Sequence, residues 1–158
     1  MKVVFLDIDG VLNDASSRTR CGGYRGIDDG KTKNLAKIIQ QTGAKIVLVS
    51  TWKEGWEKVY KERQGILANY LDGKMKKQGI AVFDKTQDYD TENALYLSRG
   101  EGILLYLSKN KVDKFVILDD CQFDYDGCGL TERYLKTNAT KGGLTEELAQ
   151  KAVGILNR

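Results

Sequence analysis

Two aspartates one residue apart, Asp7 and Asp9, close an apolar run, Val3-Val4-Phe5-Leu6, and are followed at once by Gly10. A short apolar run of this kind reads as a buried strand. Period-2 geometry sends Asp7 and Asp9 to one face of its end. Two carboxylates in one small space repel, so such a site wants a divalent cation. Gly10 lets the backbone turn away tightly. Plainer readings compete: Asp-Gly is a common turn pair, and surface acids are usually just solvated. They leave an acid directly after four apolar residues without a reason.

Two further runs deliver polar groups in the same way. Lys45-Ile46-Val47-Leu48-Val49 ends in Ser50-Thr51, and Lys114-Phe115-Val116-Ile117-Leu118 ends in Asp119-Asp120. Ligands of open α/β sheets bind at the carboxyl ends of the strands. The set holds a nucleophile candidate, a hydroxyl and carboxylates of the metal-binding kind, and lacks only a cation for phosphate.

The elements that must position these groups alternate. The pattern predicts a strand over 2–8, then a Gly- and Arg-rich flap over 13–27. A helix from an Asp28 N-cap to Thr42 follows, with Gly43 as its stop. After the strand 45–49, an apolar stripe from Trp56 to Leu71 has helical spacing, broken near Gly65. Further expectations are a short strand at 79–83, a polar loop at 87–93, a helix at 100–110 with Ile103, Leu104 and Leu107 inward, and the strand 114–118. A last strand at 133–136 and a helix at 145–156 close the chain. Alternation of this kind implies one α/β domain over residues 1–158: a Rossmann-like, doubly wound parallel sheet with helices on both faces. The insertions leave room for a small flap and no large cap domain.

Composition narrows the chemistry. The chain of 158 residues has no histidine, which excludes Ser-His-Asp and Cys-His catalysis and histidine zinc sites. A net charge of +3 permits an anionic substrate without implying a nucleic-acid scaffold. Cys21, Cys121 and Cys128 are odd in number and form no CxxC pair, so they read as reduced thiols. With no signal peptide and no transmembrane run, a cytoplasmic location and no membrane partner are expected. Gly30-Lys31-Thr32 imitates the end of a P-loop, but Arg25 stands where the first glycine belongs. Asp124 to Gly129 holds too few ligands for an EF-hand loop.

Asp7-Ile8-Asp9-Gly10-Val11, Val47-Leu48-Val49-Ser50 and Ile117-Leu118-Asp119-Asp120 resemble, in order and spacing, the motifs of the haloacid dehalogenase (HAD) superfamily of aspartate-nucleophile phosphatases. The finer pattern is similar to compact HAD domains associated with RNA-repair proteins. It comprises DGVLN at 9–13, LVSTW at 48–52, SRGEGILLYL at 98–107, FVILDD at 115–120 and GLT at 143–145. The resemblance implies that Asp7 is the nucleophile and Asp9 the general acid/base. Asp119 and Asp120 would bind Mg²⁺ beside Asp7 and Asp9. Ser50, with Thr51 as substitute and Gly10 at the turn, would contact phosphate. Arg99, or else Lys85, would neutralise it. An acid at Asp9 argues for phosphoryl transfer, because the dehalogenase branch lacks one there.

Asn13, Arg18, Arg20, Arg25, Trp52 and Lys85 are the candidates for contact with the rest of the substrate. The three flap arginines could grip a second phosphate or a nucleic-acid backbone, or simply be solvated. Trp52 could stack on a base, or pack beside the site. Function is thus expected as an Mg²⁺-dependent phosphomonoesterase acting on a phosphorylated substrate such as a nucleic-acid end or nucleotide. The alternatives are a small-metabolite phosphatase and a non-catalytic module that binds phosphorylated ends or a partner. A response-regulator receiver would carry its phosphoacceptor on a middle strand, where Ser50 stands.

Overall fold

The computed structural model describes residues 1–158. In chain order the elements are β1 (Lys2–Leu6), β2 (Arg20–Cys21), β3 (Tyr24–Arg25), α1 (Asp29–Thr42), β4 (Lys45–Leu48), α2 (Gly65–Lys77), β5 (Val82–Lys85), β6 (Tyr89–Asp90), β7 (Leu95–Tyr96), α3 (Arg99–Lys109), β8 (Lys114–Asp119), β9 (Tyr134–Lys136) and α4 (Glu146–Asn157). Five strands form one sheet in the order β5-β4-β1-β8-β9. Every pairing in it is parallel. β2-β3 and β6-β7 are separate antiparallel hairpins.

Strand alternation divides the core in two. Val4, Leu6, Ile46, Leu48, Val116 and Leu118 pack with side chains of α1, α2 and α4. Val3, Phe5, Val47 and Ile117 face the other way, against Ile103 and Tyr106 of α3 and against Tyr125 and Leu130. Both faces of the sheet are covered, as parallel sheets require. The doubly wound expectation therefore holds. The flap after β1 is only the β2-β3 hairpin and its flanks. No helix is long and apolar enough to cross a membrane.

Local chemistry explains the departures. The stripe from Trp56 to Leu71 is not one helix; only Gly65–Lys77 is helical. Gly55 has φ 77°, and a Cβ there would lie 2.3 Å from the Gln64 carbonyl oxygen. The Gln64 N–H donates to the Gly55 carbonyl at 2.7 Å, so residues 55–64 close as a loop. Arg63 stacks on Trp56 and Tyr60 and pairs with Asp72, which completes that loop. The strand expected at 79–83 runs instead from Val82 to Lys85, because α2 carries on to Lys77. The expected loop 87–93 contains β6. Leu104 is exposed rather than inward.

Helix α3 begins at Arg99, one residue earlier than expected. Ser98 and Glu101 form a reciprocal capping box. Asp124 accepts from Gly100 N–H at 2.9 Å and from the Ser98 hydroxyl, fastening this end to the loop after β8. Arg99 thereby sits at the first helical position, beside the carboxyl ends of β1 and β8.

Candidate active site

The first strand ends at Leu6, and Asp7 is already in the turn beyond it. The Asp7 N–H donates to the Leu118 carbonyl at 2.9 Å, which keeps it against β8. Carboxylate oxygens of Asp7, Asp119 and Asp120 all lie within 4.8 Å of one another. Asp7 and Asp119 are buried, and Asp120 is half-buried. Arg99 reaches into this group, its Nη1 2.8 Å from Asp119 Oδ2 and 3.3 Å from Asp7 Oδ1. Tyr125 donates its hydroxyl to Asp119 Oδ2 at 2.6 Å, and the Cys121 N–H donates to Oδ1 at 3.0 Å.

Three acids against one guanidinium leave an excess of negative charge. Burial pushes the Asp7 carboxyl up to about 7, with Asp119 adding to the rise and Arg99 opposing it. Burial and then Asp119 raise Asp120 as well. Burial alone would depress Arg99, but Asp7 and Asp119 hold the guanidinium above its usual range. Three hard oxygen donors with uncompensated charge fit a hard divalent ion such as Mg²⁺.

Asp9 stands apart from the trio. Its carboxylate accepts from Asn13 Nδ2 at 3.0 Å and from Trp52 Nε1 at 3.1 Å, and the residue is exposed. The expected fourth carboxylate of the metal set is therefore held elsewhere, because the chain turns after β1 and these two donors capture Asp9. Asn13 is fully buried and also accepts from Gly10 N–H at 2.9 Å. Its hydrogen bonds are to Gly10, Asp9 and Gly26, so it shapes the turn after β1. Trp52 is buried too, so the base-stacking expectation fails and packing beside the site is what it does. Gly10 has φ 78°, and a Cβ there would come within 2.6 Å of the Asp120 side chain. The glycine lets Asp120 lie against the backbone.

Ser50 is buried, and its Oγ accepts from Trp52 N–H at 3.1 Å. Hydrogen bonding from Ser50 also draws the Asp7 carboxyl downward. Ser50 thus caps the turn 51–53 and lies beside Asp7. Thr51 is exposed at the start of the short turn 51–53. Of the two expected cations, Arg99 is at the carboxylates. Lys85 pairs with Glu57 at 2.8 Å, on the far side of β4 from Asp7. Arg18, Arg20 and Arg25 are exposed on the flap, and Arg20 and Arg25 face each other across the β2-β3 hairpin.

Several contributors carry little or no signal in the sequence. Lys53 is buried and donates to Thr86 Oγ1 at 3.0 Å and Asp88 Oδ1 at 2.6 Å. Its position three residues after Ser50 is its only sequence signal. Phe123 has φ 47°, rare for a bulky residue, and the Arg99 guanidinium lies 4.0 Å from its ring centroid. Thr137 donates to the Gly10 carbonyl at 2.7 Å. Ser98-x-x-Glu101 is legible as a capping box. Tyr125 and Phe123 have no local signal, since only the loop fold brings them to Asp119 and Arg99.

A parallel α/β sheet with acids at the carboxyl ends of its central strand β1 and the adjacent β8, and a cation at a neighbouring helix start, defines a HAD-type domain. The family described as the HAD domain in Swiss Army Knife RNA repair proteins matches residues 3–149, and the chain belongs to it. No curated protein matches the chain.

Proposed function

We propose that the protein is an Mg²⁺-dependent phosphomonoesterase that works through an aspartyl-phosphate. The observation that carries this reading is Arg99 poised between Asp7 and Asp119, within a trio of carboxylates that one cation does not neutralise. Mg²⁺, held by Asp7, Asp119 and Asp120, would supply charge neutralisation for the phosphoryl group and keep Asp7 ionised.

Asp7 attacks phosphorus; the Asp–O–P bond forms as the bond to the leaving oxygen breaks. Asp9, oriented by Asn13 and Trp52, gives its proton to that oxygen. Asp9 then takes a proton from water, whose oxygen attacks phosphorus, and phosphate departs with Asp7 regenerated. Arg99 binds the equatorial oxygens in competition with its present partners, and the Ser50 hydroxyl donates to one of them.

The favoured substrate is a phosphorylated nucleic-acid end or nucleotide in the cytoplasm. Support comes from the uncapped site and from the flap, where like charges directly opposite one another cost stability unless an anion meets them. Free thiols at all three cysteines agree with a reducing compartment. The deciding experiment is release of phosphate from an aryl phosphate, with and without Mg²⁺. Turnover that needs Mg²⁺ and vanishes in Asp7→Asn supports the reading. Equal turnover in Asp7→Asn sinks it.

A further inference from the structure

We propose that the polar cavity beside Ser50 and Thr51 is a nucleoside subsite, which takes the sugar and base that carry the phosphate and uses Tyr89 as its stacking wall. It deepens the phosphomonoesterase reading and rests on it for the identity of the phosphate site.

The cavity, of about 430 Å³, lies between the turn 51–53 after β4 and the segment 85–89 after β5. It therefore opens at the same carboxyl edge of the sheet as Asp7 and Asp119. The Lys53 N–H donates to the Ser50 carbonyl at 3.0 Å, so the cavity is one turn of chain from the phosphate-binding hydroxyl. The opposite wall is fixed by the Thr86 N–H, which donates to the Leu48 carbonyl at 2.9 Å. Its size falls within the range of small-molecule sites.

The lining chemistry selects the occupant. Lys53 is paired with Asp88 and Lys85 with Glu57, and Glu54 also lines the cavity. A cavity with no free positive charge suits a neutral, hydroxyl-bearing group better than a second phosphate. Lys53 spends two of its three donors on Thr86 and Asp88, which leaves one for a sugar hydroxyl. Gln87 supplies an exposed amide, able to donate and accept at a base edge.

Tyr89 is the one aromatic wall, and its ring stands 5.1 Å from that of Tyr96 at 66°. Tyr96 is 88% exposed. The β6-β7 hairpin that carries both is too short to need two tyrosines for a core of its own. Ala94, at φ 53°, tightens its turn. An aromatic face accepts any base by stacking. The cavity on the other flank of the site, lined by Asp120, Lys136 and Lys141, has no aromatic residue and contains a carboxylate of the acidic trio.

The test compares kcat/KM for a 3′-phosphorylated dinucleotide with that for glycerol 2-phosphate, in Mg²⁺. Tyr89→Ala should lower the dinucleotide-to-glycerol ratio about tenfold, through KM rather than kcat, as loss of one stacked base does. Tyr89→Phe should restore it, and Gln87→Ala should lower it less. A ratio that stays within about twofold of wild type in both alanine variants overturns the subsite while leaving the phosphatase reading intact. So does a wild-type preference for glycerol 2-phosphate. If no phosphate ester is hydrolysed at all, titration of wild-type protein with 3′-AMP decides. Amide NMR shifts centred on residues 87–89 would uphold the subsite without the reaction, and shifts elsewhere or none would overturn it.

Discussion

Asp7 has two roles that pull against each other. It must be ionised to attack, yet burial raises its carboxyl to about 7 from the ordinary 3.8. A raised folded value favours the protonated native state. This contribution to stability is fully present below about pH 4 and is lost as pH rises through about 7. Asp7→Asn removes the titration. It should cut turnover by about four orders of magnitude. It should also raise the melting temperature of the metal-free protein at pH 8 more than at pH 5, which thermal melts at the two pH values will read.

Asp119 and Asp120, adjacent in sequence, should behave oppositely. Asp119 satisfies Arg99, Tyr125 and a backbone N–H. Asp119→Ala takes from Arg99 the shorter of its two ion pairs and leaves the Tyr125 hydroxyl without its acceptor, and should cost about 2–4 kcal/mol in denaturant melts. Asp120→Asn removes a like charge and should leave the metal-free protein as stable as wild type or more so. Both should weaken Mg²⁺ binding by calorimetry. Unchanged affinity in both would contradict the ligand assignment.

At the scale of elements, the site depends on where α3 begins. The Ser98–Glu101 box and Asp124 fix the first turn, and Arg99 rides on it. Ser98→Ala should cost about 1 kcal/mol of stability. It should also raise KM for an aryl phosphate, as Arg99 loses its fixed origin. A change in stability with KM untouched would separate the cap from the cation. The flap has its own anchor in Asp14. This buried acid accepts from Ser16 and from the Gly142 N–H and faces Lys31. The Ser16 hydroxyl leads in holding its carboxyl well below the usual carboxylate range. A depressed folded value means stability present above about pH 4 and lost as pH falls further. Asp14→Asn should therefore flatten the acid limb of the stability curve and loosen both the flap and the segment before α4.

Across the whole molecule, the insertion after β1 is little more than a two-stranded flap, with Arg18, Arg20 and Arg25 exposed on it. Counterion release predicts that turnover of a 3′-phosphorylated oligonucleotide falls as salt rises, while turnover of glycerol 2-phosphate hardly changes. Replacing Arg18, Arg20 and Arg25 by alanine should make the salt slope shallower, by about 0.7 for each single-strand phosphate that these arginines neutralise. An unchanged slope would assign the flap to solvent.

The sequence by itself determined the sheet, the strand-end acids and the family. Those features are written in short apolar runs that end in polar residues, and each run needs only local pattern to be read. It offered Arg99 and Lys85 as alternative cations and left the choice between them open. Tertiary structure decided everything that depends on residues meeting from distant segments. Trp52 and Asn13 have the types expected of substrate contacts, but the turn after β1 brings Asp9 to their donors, and both are buried behind it. Lys85 looks interchangeable with Arg99 in sequence, yet strand order puts it beyond β4 and against Glu57. Phe123, Tyr125 and Lys53 offer little or no local pattern. They join the site and its neighbouring cavity through loops whose paths are set by burial and by hydrogen bonds between segments far apart in the chain.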